Sequence, residues 1–99
     1  MDLTSFRAST DQNEPPAALS LALQTLWWDA KGDWNRAHDC AQKDESPTGS
    51  RVHAYLHRVE GDLRNAGHWY GRAGREPSTA PLAEEWQALA IELLAAQPG

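Results

Sequence analysis

The stretch RVHAYLHRVEGD, residues 51–62, carries two histidines four positions apart, His53 and His57. On a helix this spacing puts both imidazoles on one face, where they can share a zinc or nickel ion. Glu60 lies on the same flank and offers a carboxylate as a third ligand. The residues predict either a metal site of His53, His57 and Glu60, or two interfacial histidines that are packed between helices and hydrogen-bonded to Glu60, Tyr70 or backbone carbonyls.

The sequence gives little support to catalysis. Ala54 follows His53, so the glutamate of the zinc-protease pattern HExxH is missing. Cys40 does not lie at a helix start where positive charge lowers a thiol pKa, which favours a structural thiol. Phosphate loops, dinucleotide fingerprints and serine elbows are absent from the sequence. We therefore predict no catalytic residue and, apart from the zinc or nickel alternative, no cofactor.

Charge and composition limit the class of protein. The 99 residues carry a net charge of −5, with five Lys/Arg against two Asp/Glu in residues 51–75 and an excess of four acidic residues on each side of that range. Phosphate repels such a chain as a whole, which argues against nucleic-acid binding. The polar, acidic residues 1–16 are not typical of a signal peptide, and there is no apolar run of membrane-spanning length. We expect a cytoplasmic, non-membrane protein, and with one cysteine no internal disulfide can form.

The histidines must be positioned by helices. The apolar pattern predicts about five helices in a single all-α domain over residues 15–99. Residues 1–14 lack periodicity and are predicted to form a mobile tail. Apolar residues at helical spacing predict one hairpin over about 16–43, a second over about 47–74, and a capping helix over about 80–96. On the second hairpin Trp69 and Tyr70 should be buried, whereas His68 should face solvent.

The two hairpins are related by an internal repeat. KGDWNRAHDCA from Lys31 aligns with EGDLRNAGHWY from Glu60 at an offset of 29 residues, which pairs Gly32 with Gly61 and Asp33 with Asp62. In such a turn the glycine ends one helix in the left-handed conformation and the aspartate caps the next helix. The aspartates are therefore predicted to be caps rather than paired catalytic carboxylates. Ser46 or Ser50 is predicted to cap the helix that carries the histidines.

The Gly-Asp pair, a following Trp or Leu and then Ala, with HWYGRAG in the second copy, resembles the turn and second helix of a tetratricopeptide (TPR) repeat. The resemblance implies a binding module whose first helices form a concave face, here with Arg51, Tyr55 and Arg58 available to a protein partner or an acidic peptide. It also implies that His53 and His57 face the partner helix of their own hairpin. The same residues are similar to those of small bacterial proteins of unknown function, which implies no activity.

The tryptophan content suggests self-association. Five of the 99 residues are tryptophan, and Trp27 and Trp28 are adjacent in the first predicted helix, so their side chains point about 100° apart. A two-repeat array also leaves its ends to be covered. We therefore predict a possible homodimer that buries Trp27 or Trp28.

Overall fold

The structure, a computed structural model, describes residues 1–97, which form six α-helices and no β-strand. The helices are α1 Leu3–Ser9, α2 Leu21–Ala30, α3 Trp34–Gln42, α4 Pro47–Val59, α5 Leu63–Arg72 and α6 Leu82–Ala96. The all-α class is confirmed, and the number of helices exceeds the predicted five by one. In residues 1–97 no helix combines the length and the apolarity needed to cross a bilayer.

The helix starts follow the predicted capping chemistry. At the start of each of the helices α1 to α5, the side-chain oxygen of the capping residue accepts a hydrogen bond from the backbone amide three residues later. The capping residues are Asp2, Ser20, Asp33, Ser46 and Asp62. Each such bond satisfies an amide that the helix itself leaves unpaired. Asp33, Asp62 and Ser46 are thus confirmed as caps, while Ser50 is buried inside α4.

The turns before α3 and α5 have the same geometry. Gly32 and Gly61 adopt φ values of 80° and 84°, and the aspartate after each has a ψ of 80°. In both turns the aspartate amide donates to a carbonyl five residues back, over 2.9 Å. A left-handed glycine followed by a capping aspartate therefore reverses the chain twice in the same way, and α2 packs on α3 as α4 packs on α5.

Gly32→Val and Gly61→Val are each expected to lower the free energy of unfolding by about 1 kcal/mol or more, because a β-branched residue is strained at positive φ. Urea titration measures the change. Gly67→Ala is the matched control, since Gly67 is helical and an added Cβ would meet nothing within 4 Å. The control should be neutral or stabilising, and a Gly32→Val or Gly61→Val protein as stable as wild type would contradict this account of the turns.

Residues 1–14 differ from the predicted mobile tail. They contain α1, whose Phe6 is fully buried and stacks on Trp86 of α6 with ring centroids 5.9 Å apart. Ser9, at the end of α1, accepts a hydrogen bond from the indole N–H of Trp27. The buried ring of Phe6 and the buried hydroxyl of Ser9 thus hold α1 against the domain. Because α1 has only seven residues, apolar periodicity could not reveal it in the sequence.

Helix α6 closes the domain by packing on α1, α2 and α4. Trp86 donates its indole N–H to the carbonyl of Leu26, and Leu89 is buried beside it in the core. Trp27 and Trp28 are both buried within the chain, at 0% and 8% exposure. The predicted homodimer therefore loses one of its two reasons, because these tryptophans are already covered within the chain.

Candidate metal centre

Three histidines meet at the contact between α3 and α4. His53 and His57 lie one turn apart on α4, and His38 reaches them from α3. One ring nitrogen from each can be chosen so that the three lie within 4.8 Å of one another. His53 and His57 are buried, at 3% and 5% exposure, and His38 is half-buried. The site thus joins α3 to α4.

His38 and His53 are the closest pair of imidazoles, and their Nε2 atoms face each other. Nε2 of His38 and Nε2 of His53 are 3.0 Å apart, so one ring donates a hydrogen bond to the other. Around a tetrahedral ion with metal–nitrogen bonds of about 2.0–2.1 Å, ligand nitrogens lie about 3.3 Å apart. The two nitrogens are therefore already separated by nearly the distance that a shared ion requires.

Glu60 lies behind His57 rather than inside the cluster. Nδ1 of His57 is 2.5 Å from Oε1 of Glu60, so the Nδ1–H group donates to the carboxylate and Nε2 is the nitrogen left to bind an ion. Histidines that bind metals commonly make such a bond, which fixes the tautomer and strengthens the ligand. The predicted bond between His57 and Glu60 is present, and its geometry suits Glu60 to orienting His57 better than to binding the ion.

Two tryptophans flank the cluster. Trp34 stacks on His38 with ring centroids 4.7 Å apart and planes 12° apart, and it donates its indole N–H to the carbonyl of Leu56. Trp69 stacks on His53 at 3.8 Å and 11°. Stacking on both sides restricts rotation of the two imidazoles, so their nitrogens are oriented before any ligand arrives.

The surroundings keep two of the histidines neutral. Burial lowers the pKa of His53 to about 4, and the charges of His38, His57 and Arg72 act in the same direction. Burial and the charge of His57 also lower the pKa of His38. The lowered pKa values favour the uncharged form of both rings at pH 7, which is the protonation state that binds metals.

His38 is the functional residue that the sequence prediction missed. Its counterpart in the 29-residue alignment is Gly67, so the repeat gave no reason to select it. The available signal was the spacing of Trp34, His38 and Ala41, which puts them on one face of α3. His68 is exposed as predicted, and half-buried Cys40 packs against the core with a pKa raised by burial.

The predicted concave face is covered in the structure. Tyr55 is buried at 4% exposure, and its hydroxyl donates to Asp29 of α2. Arg58 donates to Glu85 of α6 and to the carbonyl of Ala80. The expectation that these side chains would be exposed is wrong for Tyr55 and Arg58, because α6 and the segment before it pack over α4.

Arg51 also pairs with α6, although more loosely. Its guanidinium lies 2.9 Å from the carboxylate of Glu92, a side chain that is half exposed. Arg51 therefore remains the member of the predicted face that is nearest to solvent. Peptide binding by this face stays a prediction.

A cleft of about 510 Å³ opens beside the histidines. His53 and Trp69 line one part of it and Arg72 lies next to them, with the guanidinium carbon 5.0 Å from the ring centroid of Trp69. Asp44 and Glu45, from the loop between α3 and α4, line another part. The cleft reaches the cluster at His53, and its volume is within the range of ligand pockets.

Comparison with protein-family models, curated proteins and solved structures finds no match to this chain.

Proposed function

We propose that this protein binds a transition-metal ion through His38, His53 and His57, with zinc the best fit. The observation that carries the proposal is the convergence of three imidazole nitrogens within 4.8 Å. Zinc is bound by imidazole nitrogens in tetrahedral geometry, and sites with three protein ligands keep a fourth position for water or another ligand. Nickel and copper also bind imidazole, so they are the competing ions.

The surroundings of the three histidines support the proposal. Glu60 orients His57, the two stacked tryptophans hold His38 and His53, and burial keeps His53 neutral at pH 7. A preformed set of neutral ligands reduces the cost of ordering the site when the ion binds. An ion bound between α3 and α4 would also stabilise the contact between the two hairpins.

The competing account is that the histidines only pack and hydrogen-bond. In the described residues no buried side-chain nitrogen or oxygen lacks a hydrogen-bond partner, so the cluster is satisfied without an ion. Under this account a chelator changes nothing, and the bonds His38–His53 and His57–Glu60 stabilise the interface as ordinary polar contacts. The two accounts therefore differ in a measurable way.

Protein purified without added metal and without an affinity tag is expected to contain near-stoichiometric zinc by elemental analysis. Removing the ion with a chelator should lower the melting temperature, because a ligand that binds only the folded state stabilises it by mass action. Restoring zinc should restore the melting temperature. Absence of bound metal, together with no shift of the apo protein's melting temperature on adding zinc, nickel or copper, would overturn the proposal.

We also infer that the two hairpins form a TPR-like pair with α6 as its cap. The support is the equal backbone geometry of the Gly32–Asp33 and Gly61–Asp62 turns, which matches the 29-residue repeat. Terminal units of repeat arrays are often atypical and cover the last apolar face, as α6 does here. In this arrangement the site spans two consecutive repeats, so it depends on how they stack.

A further inference from the structure

We propose that the fourth position of the metal site takes a small carboxylate anion, which enters through the cleft beside His53 and is attracted by Arg72. This inference rests on the proposed metal site and names the ligand that completes it. The exchange is a substitution: a carboxylate oxygen takes the coordination position and a water molecule leaves, with no change of oxidation state.

The cluster itself supplies three ligands. Within residues 1–97 no fourth histidine, cysteine or carboxylate joins His38, His53 and His57. Glu60 is bonded to the far nitrogen of His57, and Asp62 caps α5 by accepting from the amide of Asn65. A tetrahedral ion held here therefore has one position for a ligand from solution.

The charge around the three ligands favours an anion at that position. Three neutral imidazoles supply no negative charge to a divalent ion, and the Glu60 carboxylate behind His57 balances one of its two charges. In a largely buried site the remaining positive charge is costly, and a monoanion at the fourth position compensates it. A neutral ligand does not reduce it, so the anion is preferred.

Arg72 provides the second recognition element. Among the described residues that line the cleft it is the single cation, and its guanidinium lies over Trp69, the ring that stacks on His53. A guanidinium presents paired N–H donors that match a carboxylate, which favours a carboxylate over a spherical anion such as chloride.

The acidic residues of the cleft limit the ligand's charge. Asp44 is engaged in structure, since it accepts hydrogen bonds from the amide and hydroxyl of Ser46 and its backbone and side chain pack against Gly49. Glu45 is exposed at the edge of the cleft and repels anions there. A monoanion is thus favoured over a dianion such as phosphate.

The test uses the full chain with cobalt(II) in place of zinc, because tetrahedral cobalt has visible absorption bands that respond to the fourth ligand. Acetate is the probe, and sodium perchlorate at the same ionic strength is the weakly coordinating control. Acetate is expected to change the cobalt bands saturably while perchlorate does not. Phosphate should bind more weakly than acetate.

Three variants test whether the acetate-dependent change of the cobalt bands arises in the cleft. Arg72→Gln should weaken acetate binding by about 3- to 10-fold, a discounted value for an exposed charged donor. Glu45→Gln should strengthen acetate binding, because it removes the repelling charge. Arg64→Gln, on the same helix and outside the cleft, should leave binding unchanged.

The outcomes separate this inference from the metal site itself. Cobalt binding with bands that acetate and perchlorate leave equally unaffected overturns the anion inference and leaves the metal site standing. Equal acetate affinity in wild type, Arg72→Gln and Arg64→Gln proteins also overturns it, because Arg72 then plays no part. Failure to bind cobalt or zinc at all overturns the proposed function, and the anion inference with it.

Discussion

His38→Ala is expected to weaken zinc binding by more than about 100-fold, since loss of an orienting outer residue alone costs 10- to 100-fold and His38 is a direct ligand in the proposed site. Nε2 of His38 lies 3.0 Å from that of His53, so its removal leaves two histidines of one helix to hold the ion. Competition titration with a chromophoric chelator measures the change.

His68→Ala is the matched control, because it removes an exposed histidine from α5 without touching the cluster. Its zinc affinity should equal that of wild type. Glu60→Gln should fall between the two, weakening binding by about 10-fold, because an amide still accepts the bond from His57 but carries no charge.

The comparison of zinc affinities requires that the His38→Ala protein still folds. Helicity and the melting temperature of the metal-free His38→Ala protein report on it, and His38→Gln serves if alanine loosens the contact with Trp34. A folded His38→Ala protein that binds zinc as tightly as wild type would show that His38 is not a ligand.

Local chemistry was predictable from the sequence because it depends on neighbours in the chain. Gly32 and Gly61 adopt positive φ and Asp33 and Asp62 are caps, as the turn patterns predicted. Ser46, one of the two serines predicted as the cap of α4, caps that helix. Each of these features is decided by steric limits and amide pairing within about four residues. Tertiary packing does not have to be known.

The features that were not predicted depend on which helix faces pack against each other, and local sequence patterns do not specify this packing. His38 joins the site because α3 packs on α4, a contact between hairpins that the 29-residue alignment does not describe. Helix α1 is held by Phe6 in a core built from distant residues. Apolar residues at helical spacing predicted the capping helix, but not that α6 would pack over Tyr55 and Arg58.

The position of α6 reverses an expectation about Arg58. If Arg58 lined an open face, its replacement would leave stability unchanged. In the structure it pairs with Glu85, and the two side chains are 14% and 10% exposed. Glu85 also accepts a hydrogen bond from the hydroxyl of Tyr70, so the carboxylate links α4, α5 and α6.

Arg58→Met is therefore expected to lower the free energy of unfolding by about 3 kcal/mol, the lower end of the range for breaking a buried pair, because both side chains keep some contact with solvent. The substitution leaves the Glu85 carboxylate in a largely buried position without its counter-charge. Arg75→Met is the control: Arg75 and Glu92 are about half exposed and 3.7 Å apart, so the loss there should stay below about 1 kcal/mol. Urea titration of both variants gives the comparison.

A double variant tests the cause of the Arg58 effect. Adding Glu85→Gln to Arg58→Met removes the uncompensated charge while keeping an acceptor for the hydroxyl of Tyr70. The double variant should then be more stable than Arg58→Met alone, because the cost of the single change lies mainly in the isolated carboxylate. If the double variant is no more stable, the loss comes from the hydrogen bond of Arg58 to the carbonyl of Ala80 and from packing of its side chain rather than from the charge of Glu85.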